Sequence, residues 1–447
     1  MNNTLLLLSL IILCFANIIN CSISFNFDIK TTTPPISQLT KRQVSTIFKN
    51  QKNVLLTKLG IGSNNDSVVV SIDTGSSDLW VMSNQVQCFN ISEFHTIYSP
   101  NIPQIFNDLD ESYSCKANGT FKFENSKSFV NENKDFTIAF ADGSAAMGFW
   151  GNDNIVIDGN NKTTLNGLRF GIANKSSIDV GILGIGFKDD YDNFPVLLHE
   201  QGLIDKLQYS IYSNDADSGV VEFDKIDNSK YENNLVSVEI DNNLGVKISN
   251  AYYIEEEDGN LVPKSSDKET IIFDTGSTFS TLPREWIDRL GKSINGTYNE
   301  DEMAYEVNCD ELNSDSLSNQ YFNFTVNSTL FSVPTKDFII KNERTNGKCY
   351  LGIMDESIIG GSIFGSDILK LFYLVYNLED SILSIAPIKN SNSNSDSVAE
   401  LDSSTVSSSS SSSSTTSSSK TSSYNGVNNI ISGYYITLLT FILNFLL

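Results

Sequence analysis

Histidine is nearly missing: the 447 residues hold two, His95 in a polar stretch and His199 within 195–203, which reads as a helix. That scarcity argues against a His-dependent hydrolase or a His-rich metal centre, and each His reads as structural. Cysteine is sparse as well, six in all, without the Cys-x-x-Cys spacing of thiolate metal sites. Basic residues are outnumbered 30 to 54, a formal charge of −24, which argues against nucleic acid as a partner. The Gly-rich run Val180-Gly181-Ile182-Leu183-Gly184-Ile185-Gly186 is followed by no Lys-Ser/Thr, so it is a strand and no phosphate loop. The apolar run 5–16 is too short to span a bilayer, and no basic cluster follows the apolar C-terminal tail. Nothing in this inventory calls for a metal or a cofactor.

One short pattern is present twice. Val68-Val69-Val70-Ser71-Ile72 runs into Asp73-Thr74-Gly75-Ser76-Ser77-Asp78-Leu79-Trp80-Val81, and Thr270-Ile271-Ile272-Phe273 runs into Asp274-Thr275-Gly276-Ser277-Thr278. Each apolar, β-branched run reads as a buried strand. An ionisable Asp directly behind such a strand costs stability unless hydrogen bonds satisfy it. The Gly lets the backbone turn its N–H groups onto the carboxylate, and the Thr and Ser hydroxyls supply further donors. One Asp-Thr-Gly is more often a strand-ending turn than a reaction centre. Two, about half the chain apart, form a pair. Further strands are expected at 54–62, 67–72, 147–157, 372–376 and 382–386, with a helix near 284–290. Many strands, few helices and two matching halves predict a bilobal all-β protein. Four cysteines of the folded region, Cys88, Cys115, Cys309 and Cys349, allow three pairings.

On these motifs the chain, over roughly 54–389, resembles the pepsin-like aspartic proteases, and within them the fungal secreted and GPI-anchored group. The resemblance implies a peptide-bond hydrolase with Asp73 and Asp274 as the reacting pair. Thr74, Gly75, Ser76, Thr275, Gly276 and Ser277 would support the loops. One loop per lobe lets a monomer supply both acids. It also favours disulfides Cys88–Cys115 and Cys309–Cys349, one in each lobe. Phe136-Thr137-Ile138-Ala139-Phe140-Ala141-Asp142-Gly143-Ser144 matches the hairpin flap that closes over substrate, with Phe140, Asp142, Gly143, Ser144 and Trp80 as its contacts. Phe140 stands where the family usually has Tyr, whose hydroxyl is hydrogen-bonded to the Trp represented here by Trp80. Losing that bond, worth about 1 kcal/mol, predicts slower catalysis and no abolition. Ser366 stands where the family generally has Asp, a change bearing on local packing. Asp224-Lys225 replaces a usual Gly-Gly at an exposed turn.

The termini carry targeting signals. Residues 1–21 read as a signal peptide, which sends the chain to a compartment where disulfides persist. Residues 22–42 read as a short propeptide ending at Lys41-Arg42, with processing after Arg42; 43–235 and 236–389 are the two lobes. The stretch 390–424 is a Ser-rich stalk that cannot bury enough apolar surface to fold. Residues 425–447 match a GPI-attachment signal, with Asn425 as the anchor residue and a membrane lipid as the implied partner. Sequons stand at Asn65, Asn90, Asn118, Asn161, Asn174, Asn295, Asn323 and Asn327.

Two carboxylates about 4 Å apart repel by roughly 4 kcal/mol at an effective dielectric of about 20. At about 1.4 kcal/mol per pKa unit that separates their titrations by about three units, so one proton is shared over a broad acidic range. Aspartic protease pairs are themselves the standard case of this coupling. Acidic clusters at 108–111, 189–192 and 255–258 would favour basic peptides electrostatically, although a charge run is also simply a solvated face. The competing reading is a catalytically silent wall protein that keeps the fold for binding or adhesion. A glycoside hydrolase with paired acids finds no supporting stretch beyond the Asp residues.

Overall fold

The computed structural model describes residues 22–32, 52–89, 114–140, 144–157, 163–241, 244–253, 256–257, 260–261, 268–300, 303–310, 317, 320–342 and 348–389. The segments read as signal peptide and stalk, Arg42, Asn90, Asp142, Gly143, Asn161, Asn425 and the C-terminal tail lie outside them.

Among the described residues, the first half holds ten strands: β1 (Ile23–Thr32), β2 (Lys52–Ile61), β3 (Asp66–Asp73), β4 (Leu79–Cys88), β5 (Val130–Ala139), β6 (Ala145–Ile157), β7 (Thr163–Ser176), β8 (Gly181–Gly184), β9 (Gln208–Ser213) and β10 (Ser218–Phe223). Helix α1 (Phe194–Glu200) is capped by Asn193, whose side chain accepts from the Val196 amide. The second half opens with β11 (Val236–Glu239) and β12 (Gly245–Tyr253) and holds α2 (Arg284–Ser293). Strands Ile382–Pro387 and Phe372–Asn377 follow β11 into a thirteen-stranded sheet, which continues through β9, β10, β1, β2, β3, β8, β4, β7 and β6 to β5. A seven-stranded sheet built on β12 and strand Lys268–Phe273 forms the core of the second half. The molecule is mostly strand with few helices, the all-β bilobal architecture expected from the repeated pattern.

The two halves meet where β9 pairs antiparallel with Phe372–Asn377, Tyr209 opposite Tyr376. Those two rings stack at 5.0 Å and 17°. The core beneath is aromatic and β-branched, with Val70, Ile72, Phe223, Phe273 and Phe364 all at or below 1% exposure. A satellite cluster of Trp80, Met82, Phe136, Ala146 and Ala173 packs under the β5–β6 hairpin, with Phe140 against its edge.

Residues 23–32, within the segment read as a propeptide, form β1 in the interior of the large sheet of the uncut chain, paired on one side with β10 and on the other with β2. Two expectations need correction. The Asn323 side chain is fully buried in strand Tyr321–Val326; its Nδ2 donates to the Tyr321 carbonyl and its Oδ1 accepts from the Ser332 hydroxyl. A glycan there would have to leave the core, so Asn323 is no glycosylation site of the folded protein. Asn65, Asn295 and Asn327 are exposed, while Asn118 and Asn174 are half-buried and hydrogen-bonded. Finally, the helix expected at 195–203 begins one residue earlier and ends at Glu200, and Gly202 turns the chain away in the left-handed region at φ +64°.

Candidate active site

Both Asp-Thr-Gly loops leave the C-terminal ends of strands threaded between neighbours. β3 lies beside β8 in parallel register, Asp73 opposite Gly184, and Lys268–Phe273 lies beside Ile363–Phe364 in the same sense. This crossing strand explains its glycines. A Cβ on Gly184 would sit 2.5 Å from the Asp78 amide nitrogen, so only Gly allows the loop to pass that close.

The two loops are related by near-twofold symmetry down to single bonds. Thr74 N donates to Thr275 Oγ1 at 3.1 Å, and Thr275 N donates to Thr74 Oγ1 at 3.0 Å. Each hydroxyl then donates across the interface, Thr74 to the Phe273 carbonyl and Thr275 to the Ile72 carbonyl, both at 3.0 Å. All four bonds are buried, where an unmade bond costs about 1–3 kcal/mol. They lock the two loops to one another.

The carboxylates are held alike. Asp73 Oδ1 accepts from the Gly75 amide at 2.8 Å and Oδ2 from the Ser76 hydroxyl at 2.5 Å. Asp274 Oδ1 accepts from the Gly276 amide at 2.8 Å and Oδ2 from the Ser277 hydroxyl at 2.7 Å. Each acid also lies over the other's glycine. A Cβ on Gly75 would be 2.5 Å from the Asp274 carboxyl carbon, and one on Gly276 would be 2.4 Å from Asp73 Oδ1. The symmetry breaks in burial: Asp73 is buried and Asp274 half-buried. Burial pushes the Asp73 carboxyl well above its ordinary pKa, and the charge of Asp274 with a hydrogen bond between the two raises it further. The arrangement can hold one proton between two oxygens that face a common space.

Phe140 closes the hairpin end through its amide on the Ser144 carbonyl at 2.8 Å, and its ring stacks on Trp80 at 6.3 Å and 29°. The indole Nε1 of Trp80 is buried without an acceptor among the described residues. Ser366 is buried and donates to the Thr275 carbonyl at 2.9 Å, supporting the second loop without a charge. The adjacent Asp367 is the buried acid here, taking the Ser280 hydroxyl at 2.7 Å. Cys88 pairs with Cys115 and Cys309 with Cys349, at Cα separations of 5.7 and 5.2 Å.

Sequence reasoning missed a second layer. Tyr376 OH donates to the Phe273 carbonyl at 2.9 Å, the same oxygen that Thr74 holds. Tyr191 donates to Asp78, and the Arg169 guanidinium lies over the Trp150 and Tyr191 rings at 3.8 and 4.4 Å. Burial raises the Asp78 carboxyl, with the Tyr191 bond opposing it. Asp78 stood in the quoted motif, but nothing near Tyr191 in the chain marks it as a partner.

Residues 55–388 match the family model described as eukaryotic aspartyl protease. The chain belongs to that family, a class of aspartic-type endopeptidases. It is 46% identical over 384 residues to secreted aspartic protease 10 of Candida albicans, spanning 84% of this chain and 80% of that protein. It is 31% identical over 361 residues to secreted aspartic protease 8 of the same organism, covering 79% of this chain and 80% of the relative. Secreted aspartic protease 9 is similar at 29% over 437 residues, 77% of this chain and 79% of the relative.

Proposed function

We propose that Asp73 and Asp274 hydrolyse peptide bonds with a water molecule as nucleophile, at acidic pH. The observation that carries this reading is the mutual nesting of the two carboxylates over Gly75 and Gly276 with Asp73's proton affinity raised. The ionised member takes a proton from water as its oxygen adds to the peptide carbonyl carbon. The protonated member gives its proton to the carbonyl oxygen, forming a neutral tetrahedral diol. Collapse breaks the C–N bond: the departing nitrogen receives the pair's one proton while a diol hydroxyl gives its proton back to the pair as the carboxylic acid forms, so one shared proton is restored. Thr74 and Thr275 keep the two loops in register, and Ser76 and Ser277 fix the outer oxygens. No acyl-enzyme is required.

The substrates are polypeptides. A preference for Lys or Arg is supported by the acidic balance of 54 to 30, through attraction that screens with salt. Secretion is supported by the apolar segment 5–16 and by the printed names of the relatives. Anchoring at the cell surface through Asn425 rests on the C-terminal tail, and a monomer follows from one chain carrying both loops. The test is hydrolysis of a peptide library by the purified protein across acidic to neutral pH, with a statine-type peptide as inhibitor. Acid-dependent cleavage that the inhibitor blocks is the expected result. A folded protein that binds such peptides without cutting them is instead the silent wall protein.

A further inference from the structure

The two Asp-bearing loops share their threonine bonds but differ in their other support. β3 runs beside β8 over four residue pairs, from Val70 opposite Gly181 to Asp73 opposite Gly184. Strand Lys268–Phe273 has two such pairs with its crossing strand, Ile272 opposite Ile363 and Phe273 opposite Phe364. A cavity of about 20 Å³, room for one water molecule, also borders Thr275 and Ser366. The second loop is the less firmly clamped of the two. We infer that Tyr376 is a positioning residue of the reaction, its hydroxyl holding the loop of Asp274 at working distance from Asp73, a role that exists only if the pair cleaves peptides as proposed.

Tyr376 lies on strand Phe372–Asn377, in the sheet that joins the two halves, opposite Tyr209 of β9. Its side chain is fully buried, and its hydroxyl donates to the Phe273 carbonyl at 2.9 Å. That oxygen takes the Thr74 hydroxyl as well, at 3.0 Å. The matching Ile72 carbonyl takes the Thr275 hydroxyl and no second side chain among the described residues. The peptide unit between Phe273 and Asp274 is therefore fixed at both ends. Its carbonyl accepts two hydroxyls, and its N–H donates to the Phe364 carbonyl at 3.0 Å.

The ring stacked on Tyr376 supplies the contrast. Tyr209 is equally buried, yet its hydroxyl has no hydrogen-bond partner among the described residues. Two stacked phenols thus differ in one respect: one hydroxyl holds a loop that carries an acid, and the other holds none. Burial raises both phenols far above their ordinary range. Both therefore stay neutral at every pH where the pair works, and Tyr376 is a constant donor.

Loosening the second loop alters the pair in a measurable way. Two carboxylates about 4 Å apart that separate by about 0.5 Å lose about a tenth of their repulsion, equivalent to about 0.3 pKa unit at an effective dielectric of about 20. Repulsion raises the pKa at which the pair gives up its last proton. Weaker repulsion lowers that pKa and draws the basic limb of the pH–rate profile down. A side chain serving the fold alone would leave that limb in place.

Tyr376→Phe and Tyr209→Phe each keep the ring and remove one oxygen. The Phe273 carbonyl keeps Thr74, so neither variant leaves a new unpaired group, and both should melt as folded proteins. In steady-state hydrolysis of one peptide, Tyr376→Phe should lose about fivefold in kcat, the equivalent of one net hydrogen bond. Its KM should stay within about twofold, with the basic limb about 0.3 pH unit lower. Tyr209→Phe should match wild type in all three. Hydrogen–deuterium exchange read by mass spectrometry gives a measure independent of turnover: Tyr376→Phe should quicken exchange around residues 270–280 and leave 68–78 unchanged. A Tyr376→Phe enzyme with the wild-type kcat and basic limb, or an equal loss in both variants, would overturn the inference. So would unchanged exchange at 270–280. If no form cleaves peptides, the peptidase reading fails, and the exchange measurement still decides whether Tyr376 holds the loop.

Discussion

Replacing Phe140 by Tyr should speed the enzyme. Trp80 is fully buried and its indole N–H meets no acceptor among the described residues, while the Phe140 ring lies stacked against it at 6.3 Å. A buried donor left unmade costs about 1–3 kcal/mol, and supplying a partner returns a net of about 1 kcal/mol. Phe140 directly follows β5 and makes the closing hydrogen bond to Ser144, so a hydroxyl at its para position adds that bond to the closed hairpin. If closure precedes chemistry, about 1 kcal/mol raises kcat/KM roughly fivefold. The assay is steady-state hydrolysis of one peptide by wild type, Phe140→Tyr, Trp80→Phe and the double variant. The gain should vanish in the Trp80→Phe background, because the phenol then has no indole N–H to accept. An unchanged rate for Phe140→Tyr, or the same gain with and without Trp80, would refute the reasoning.

Other expectations follow from the loops and from the buried acids. Burial lifts Asp367 from 3.8 to about 6 despite two bonds from Ser280. A raised carboxyl pKa means that the fold binds more protons than the unfolded chain, so stability is full below about pH 4 and falls as pH climbs through 6. The melting temperature should drop over that window. Asp367→Asn should flatten the slope by up to roughly 3 kcal/mol of pH-dependent stability. Thr275→Val removes the donor to Ile72 and leaves the Thr74 amide without its acceptor. It should cost about 2–4 kcal/mol in urea unfolding and lower kcat more than it raises KM. Gly276→Ala would force a methyl against Asp73, and activity should be lost with the melting temperature changed far less. Replacing Cys309 and Cys349 by Ser frees a loop 40 residues in span and should destabilise the protein by about 4 kcal/mol.

Much of the architecture was legible because it is locally encoded. The β-branched runs before Asp73 and Asp274 announce buried strands, and their Gly and Ser residues announce how the carboxylates are satisfied. The crossing strands were legible for the same reason: Gly184 is needed wherever backbone passes backbone. β1 was not foreseen as a strand although Ile23, Phe25, Phe27 and Ile29 alternate correctly, because its pairing with β10 spans almost two hundred residues. Asn323 shows the converse failure. Its sequon is a three-residue pattern, and which face of a strand it occupies is set by the opposing Ser332. The Tyr191–Asp78 and Ser280–Asp367 bonds join residues 113 and 87 positions apart, and no local pattern encodes such pairs.

The most direct test of the account is hydrolysis of one cleavable peptide near pH 4 by wild type, Asp73→Asn and Asp274→Asn, each checked for folding by its melting curve. The wild type should cut, and each Asn variant should melt as a folded protein while losing at least about a thousandfold in kcat, since neither amide can share the proton. Undiminished cleavage by either folded variant would contradict the claim that the two acids work as one pair.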